Sequence, residues 1–122
     1  MQKFYVCKHC GNIIKYANNS GVKVVCCGEV MEELTPNTVD AAVEKHIPEV
    51  EKDHNKVTIK VGSVEHPMTE EHYIKWISVT TTKRVLDYEL KPNMKPEVIL
   101  NLDDEEIVEV FAYCNLHGLW KK

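Results

Sequence analysis

The sequence has no long apolar run and no cluster of basic residues. No stretch approaches the roughly 18 consecutive apolar residues of a membrane-spanning helix, so we expect no membrane segment. The net charge is −4, and lysines are scattered among glutamates. This pattern argues against nucleic-acid binding, which needs clustered Lys and Arg. The first residues lack the apolar region of a secretory signal, so we expect a cytoplasmic protein.

Glycine and proline are also scarce, with five of each in 122 residues, and the chain is 43% hydrophobic and 28% charged. This composition is typical of a soluble globular protein, and nothing in it suggests a fibre or a disordered tract. The five cysteines are odd in number, which fits a disulfide framework poorly. Metal-ligating thiolates in a reducing compartment are the better interpretation.

The residues that bind metals fall into two groups along the chain. Residues 1–34 hold four of the five cysteines, whereas residues 38–122 hold one cysteine and five of the six histidines. Residues 34–38 form a turn-rich joint between the groups. We therefore predict two domains, residues 1–36 and 37–122, each with its own metal site. A segment of about 35 residues buries little apolar surface, and a metal is one remedy.

The larger domain is predicted to be all-β. Residues 56–61 alternate polar and apolar side chains, the period of a half-buried strand. Residues 74–82 are rich in β-branched side chains, and further strands are predicted at 84–90, 97–102 and 107–113. This spacing suggests an antiparallel sandwich. Residues 39–45 are predicted to form one or two helical turns, and residues 5–6 and 22–25 short strands that lead into the cysteine pairs.

The first predicted metal site has four cysteines. A Cys-x-x-Cys motif is followed by Gly11, which permits the positive φ of a tight turn. The second pair is adjacent in sequence, and both of its thiolates can reach one ion if the geometry is distorted. Four thiolates suit zinc or iron, and the spacing leaves the two metals about equally open. The four residues are Cys7, Cys10, Cys26 and Cys27.

The second predicted site combines imidazoles with a thiolate. Cys114 and His117 lie three residues apart after a predicted strand, a spacing that suits two ligands of one ion. His66 and His72 lie in the loop between two predicted strands, and His46 follows the helical turn. A single histidine is more often a surface or core residue than a ligand. The combination nevertheless predicts a mixed imidazole and thiolate metal site.

Several motifs together resemble desulfoferrodoxin, the two-iron class of superoxide reductase, over nearly the whole chain. They are residues 5–12 (YVCKHCGN), 26–29 (CCGE), 37–46 (NTVDAAVEKH), 65–68 (EHPM) and 114–120 (CNLHGLW). The resemblance implies a mainly β protein. A small N-terminal desulforedoxin/rubredoxin-like metal-binding domain would be followed by an immunoglobulin-like antiparallel β-sandwich.

The resemblance also implies two iron ions per chain. One is an FeS4 centre, so the resemblance favours iron over zinc at the four-cysteine site. The other has four histidines in a plane and one axial cysteine, with one coordination position open. Its implied ligands are His46, His66, His72, His117 and, in the axial position, Cys114. His54 matches no ligand of the family and His9 is surplus to a filled four-cysteine site, so both are expected at the surface.

The implied activity is the one-electron reduction of superoxide to hydrogen peroxide, with electrons from a small external donor such as rubredoxin. Lys45 would attract the anion and orient a water molecule that delivers a proton. Glu44 resembles the family residue that occupies the open position in the resting ferric state. Desulforedoxin-type modules commonly hold a homodimer together. The residues alone leave open an iron electron-transfer protein without a substrate, and a zinc-binding interaction module.

Overall fold

The computed structural model describes residues 1–122 and divides into two compact units, Met1–Thr35 and Pro36–Lys122. The molecule is mainly β, as predicted, with a single helix of four residues. That helix is far too short to cross a membrane.

The N-terminal unit (Met1–Thr35) is built from two-residue strands. Strands β1, β2 and β5 form one small sheet in the order β2-β1-β5, and β3 and β4 form a hairpin. Its buried apolar side chains are few, namely Phe4, Cys7 and Met31. So small a core contributes little stability, and a cross-link would stabilise the unit further. The strands are β1 Tyr5–Val6, β2 Ile13–Ile14, β3 Val25–Cys26, β4 Glu29–Val30 and β5 Glu32–Glu33.

The C-terminal unit (Pro36–Lys122) is an antiparallel sandwich of a three-stranded and a four-stranded sheet, ordered β10-β7-β6 and β12-β11-β8-β9. Alternate side chains of the strands form one apolar core, with Val57, Ile59, Ile77, Val79 and Val110 fully buried. The elements are α1 Val43–His46, β6 Pro48–Asp53, β7 Lys56–Val61, β8 Ile74–Thr81, β9 Val85–Glu89, β10 Glu97–Asn101, β11 Ile107–Cys114 and β12 Gly118–Lys121.

The five strands predicted in this unit are all present, with ends that differ by at most one residue. Two further strands, β6 and β12, were not predicted. Both are edge strands, which need not alternate polar and apolar residues. The predicted helical turns at 39–45 shrink to α1, and Asn37, two residues before the predicted start, is bound to β12 through hydrogen bonds with Leu119 and Lys121. The predicted strand at 22–25 is likewise reduced to its last residue and Cys26.

Strand pairing brings several element ends to one end of the sandwich. Pro48 at the start of β6 is paired with Val61 at the end of β7. In the other sheet, Cys114 at the end of β11 faces both Ile74 at the start of β8 and Gly118 at the start of β12. Helix α1 immediately precedes β6. Helix α1 and the loops at this end carry all the histidines of the second predicted site.

Candidate metal centres

The four N-terminal cysteines converge at the tips of two hairpins. Cys7 and Cys10 lie in the turn between β1 and β2, whereas Cys26 ends β3 and Cys27 follows it in the turn to β4. Their sulfur atoms all lie within 4.8 Å of one another. The Sγ atoms of Cys10 and Cys26 are 3.6 Å apart. The first turn is closed by the Gly11 N–H, which donates to the Cys7 carbonyl, and Gly11 has a φ of +84°.

The close approach of these thiols gives them different pKa values. Backbone N–H groups, that of Cys10 first, lower the pKa of Cys7 to about 6. The nearby sulfur of Cys7, followed by that of Cys10, raises the pKa of Cys27 to about 12, and the same neighbours raise the pKa of Cys26. Without a cation, one thiolate thus opposes ionisation of the next. A metal ion reverses that balance because it stabilises all four thiolates together.

The imidazoles of the C-terminal unit form a ring with four corners. Around this ring, in the order His46, His66, His72, His117, neighbouring centroids are 4.7, 4.6, 5.0 and 5.0 Å apart. The diagonal from His46 to His72 is 6.4 Å. These distances describe a nearly square arrangement.

Hydrogen bonds fix which nitrogens point into the ring. His46 Nδ1 lies 2.6 Å from the Ala42 carbonyl, and His66 Nδ1 lies 2.7 Å from the Pro67 carbonyl. A carbonyl only accepts, so each Nδ1 carries the proton and each Nε2 presents a lone pair. The same device orients metal-binding histidines in general.

The inward nitrogens lie close together, and neither Nε2 of the His46–His66 pair carries a proton to share. His46 Nε2 lies 3.2 Å from both His66 Nε2 and His117 Nδ1. His72 Nε2 is buried and has no hydrogen-bond partner. The facing lone pairs of His46 and His66, together with the buried His72 nitrogen that has no partner, indicate a cation-binding site. Two nitrogens about 2.1 Å from one ion at right angles would lie about 3 Å apart, which these distances match.

Cys114 closes the ring from the protein side. Its thiol is fully buried, its Sγ lies 3.8 Å from His117 Nδ1, and its ligand atom is within 4.8 Å of those of His46, His72 and His117. His66 falls outside that tight group and joins it through His46. Burial raises the pKa of the Cys114 thiol, and backbone N–H groups of Leu116 and His117 oppose the rise.

Burial also holds the imidazoles neutral. It lowers the pKa of His66 to about 4 and lowers the pKa of His46 and His72. Neutral imidazole is the form that binds metals. The positive charge of Lys45 further lowers the pKa of His46 and His72, whereas the charge of Glu44 raises that of His46. Both charged side chains are exposed on α1 and act on the ring electrostatically.

Two residues that sequence reasoning gave no role hold the ring together. Trp120, almost fully buried, stacks on His46 and donates its indole N–H to the His117 carbonyl. Asn115 accepts the Tyr73 N–H at 2.9 Å and donates to the Glu71 carbonyl at 3.0 Å, which ties the segment around His72 to the turn after Cys114. Only their place in the 114–120 motif singles them out in the sequence.

The two remaining histidines lie outside both clusters. His9 is exposed and 3.0 Å from a carboxylate oxygen of Glu29. His54 is exposed in the turn between β6 and β7, where its Nδ1 lies 2.8 Å from Asp53.

A β-sandwich with four imidazoles and a buried thiol at one end, preceded by a four-cysteine module, defines a small metal-binding protein with two ligand clusters. Known sequences agree with this class. The sequence model of the desulfoferrodoxin family matches residues 38–122. The desulfoferrodoxin of Syntrophotalea carbinolica is 45% identical over 116 residues, which cover 95% of this chain and 91% of that protein. The chain belongs to the desulfoferrodoxin family.

Solved structures extend the likeness to the fold. The superoxide reductase of Treponema pallidum matches with a TM-score of 0.82 and 40% identity, over 100% of this chain and 98% of that one. A superoxide reductase of Giardia intestinalis, named as a one-iron form, matches with a TM-score of 0.54 and 30% identity. That match covers 65% of this chain and 95% of the other, so about two thirds of this chain corresponds to nearly all of the one-iron protein.

Proposed function

We propose that the chain is a superoxide reductase of the two-iron class, which converts superoxide to hydrogen peroxide by O2•− + e− + 2H+ → H2O2. The observation that carries the proposal is the ring of four imidazoles above one buried thiol, with a lysine beside it. Relatives that share the fold are named superoxide reductases.

Iron is the metal that we propose for both clusters. Iron bound at the histidine and cysteine cluster would supply the single electron that superoxide takes up, because it cycles between two oxidation states. The residues proposed to hold it are His46, His66, His72, Cys114 and His117. Five protein ligands would leave one coordination position for substrate, as catalytic rather than structural metal sites do. The Cys114 thiolate would donate electron density to the bound metal from the buried side of the ring.

Lys45 is proposed to capture the substrate. Superoxide is a small anion, and a lysine ammonium close to the imidazole ring raises its local concentration and its rate of encounter. Lys45 is exposed on the turn that ends in His46, and its charge acts on both His46 and His72. The same ammonium can orient a water molecule that delivers one of the two protons. Glu44, its neighbour, is proposed to cover the open position between turnovers.

The reaction needs one electron per superoxide from outside the chain. We propose a small one-electron donor of the rubredoxin type, and an FeS4 centre at Cys7, Cys10, Cys26 and Cys27. Cys10 and Cys27 are exposed, so that cluster reaches the protein surface. The same unit exposes Val22, Val25 and Val30, which we propose to pair with a second copy in a homodimer. A cytoplasmic location remains a prediction.

The main alternative is an electron-transfer protein that uses both irons only as carriers. The two functions are distinguished by mixing the fully reduced chain with superoxide and following the visible spectrum. A reductase oxidises its histidine and cysteine centre in a second-order reaction with superoxide, near the diffusion limit of about 10⁹ M⁻¹s⁻¹. A carrier whose ligand positions are all filled reacts orders of magnitude more slowly. A colourless chain that contains zinc would exclude both readings.

A further inference from the structure

Gly62 is buried where β7 ends, against the backbone of α1. A Cβ atom on Gly62 would lie 2.6 Å from the Glu44 carbonyl oxygen, 2.9 Å from that of Ile47 and 3.0 Å from the Lys45 carbonyl carbon. Ordinary contact begins at 3.4 Å. The φ of Gly62 lies outside the left-handed region. Glycine at this position is therefore explained by the lack of space for a side chain.

The loop that begins at Gly62 also binds α1 through hydrogen bonds. The Val64 N–H donates to the Glu44 carbonyl at 2.9 Å, and the Ser63 hydroxyl donates to the same oxygen at 3.2 Å. Helix α1 has only four residues and no side-chain cap. A single helical turn is unstable by itself, so external contacts must hold it in place.

The same loop supplies a second ring member. The His66 N–H donates to the Val61 carbonyl at 2.9 Å and closes the segment 61–66 on the end of β7. His46 ends α1, and its Nε2 lies 3.2 Å from His66 Nε2. Two segments that each carry an imidazole thus meet at Gly62, because the backbone of α1 lies against this residue and the 61–66 loop contains it.

We infer that Gly62 is a positioning residue that sets the distance between α1 and the 61–66 loop. It thereby places His46, with Lys45 and Glu44 beside it, against the rest of the imidazole ring. The inference deepens the proposed function, since Lys45 and Glu44 act only in that reaction. The three atoms that a Cβ would meet are all backbone, so they can move only with the whole turn.

The displacement would affect one side of the ring. Cys114 ends β11, His117 lies in the β11–β12 turn, and His72 lies ten residues after Gly62; none of them supplies one of the three atoms nearest to a Cβ at position 62. We therefore expect a side chain at position 62 to displace His46 more than His72, Cys114 or His117. A uniform loss of stability would not have this effect.

The test compares Gly62→Ala with the wild type as full-length, iron-loaded, oxidised protein. We expect shifted visible and EPR signals of the histidine and cysteine centre, with unchanged signals of the four-cysteine centre. We also expect roughly tenfold faster loss of iron from the first centre to a chelator, the usual scale when support for a ligand is removed. Val57→Ala is the control, because Val57 is buried on the core side of β7. It should lower the melting temperature without shifting either signal.

Ser63→Ala is the second variant, because it removes one hydrogen bond to Glu44 without adding bulk. It should shift the same signal in the same direction by a smaller amount, and it decides the question if Gly62→Ala does not fold. Wild-type signals and iron loss in Gly62→Ala, or changes equal to those of Val57→Ala, would overturn the inference. None of these readouts needs turnover, so a wild type that fails to reduce superoxide would end the proposed function and leave this test intact.

Discussion

The indole of Trp120 stacks on the imidazole of His46, with ring centroids 4.8 Å apart and planes inclined by 27°. The same indole donates its N–H to the His117 carbonyl at 3.1 Å. One buried side chain on β12 therefore holds two proposed ligands that come from different elements, α1 and the β11–β12 turn.

Replacing Trp120 should loosen both ligands. Trp120→Phe keeps an aromatic stack but loses the hydrogen bond, which costs about 1 kcal/mol of unfolding free energy. Trp120→Leu also loses the stack and leaves a cavity, at a cost of about 2–4 kcal/mol. Urea denaturation measures both, and EPR of the oxidised protein reports on the iron. Equal unfolding free energies in both variants would show that the stack contributes nothing.

Cys114→Ser should abolish the thiolate-to-iron charge-transfer band of the oxidised histidine and cysteine centre. The buried thiol lies beside His117, and an alcohol is a much poorer donor to iron than a thiolate. Visible spectroscopy at equal iron content checks the result, and the bands of the four-cysteine centre serve as the internal control. A band that survives would remove Cys114 from the proposed ligand set.

Lys45→Ala should slow superoxide capture by roughly 3- to 10-fold at low ionic strength and flatten the dependence of the rate on salt. The iron spectrum should stay unchanged, because the lysine is exposed and is not a proposed ligand. Lys56→Ala removes the same charge from the far end of β7 and is the matched control. Pulse radiolysis gives both rates. A rate equal to that of the control variant would refute the role.

The metal-free chain should lose stability as the pH falls from 6.5 toward 4. The pKa of His66 is about 4 in the folded state against 6.5 unfolded, so the unfolded chain binds the proton first. This contribution to the free energy of unfolding is fully present above pH 6.5 and is lost below pH 4. The total loss amounts to about 3 kcal/mol. His46 and His72 act in the same direction. Denaturation of chelator-treated protein at several pH values checks this, and His66→Gln should weaken the dependence.

The homodimer is tested at the exposed valines of the N-terminal unit. Val25 and Val30 are paired across the β3–β4 hairpin, and Val22 lies just before it. The wild type should sediment as a dimer, and Val22→Lys should shift it toward monomer because a charge would be buried in the contact. Val108→Lys, which changes an exposed valine of the C-terminal unit, is the control. A monomeric wild type would end the proposal.

Much of the architecture was accessible from the sequence because it depends on local patterns. The alternation in β7 and the β-branched run of β8 predicted both strands, and the spacing of Cys114 and His117 at the end of the strand that became β11 indicated two ligands of one ion. The edge strands β6 and β12 were missed because they do not alternate.

Contacts between distant segments were not accessible in the same way. The Trp120 stack joins residues 74 positions apart in the chain, and the need for glycine at position 62 arises only where α1 lies against it. Asn115 likewise acquires its role only when the turn after β11 meets the segment around His72. Such residues look ordinary in the sequence, because their partners are set by the tertiary fold.

The most direct test of the central claim is the yield of products when the reduced chain meets a known amount of superoxide, with no other reductant present. The proposed reductase gives one hydrogen peroxide for each superoxide consumed, releases no oxygen, and oxidises one histidine and cysteine centre each time. Half as much peroxide, accompanied by oxygen, would show a dismutase. A centre that stays reduced while superoxide decays at its spontaneous rate would contradict the account altogether.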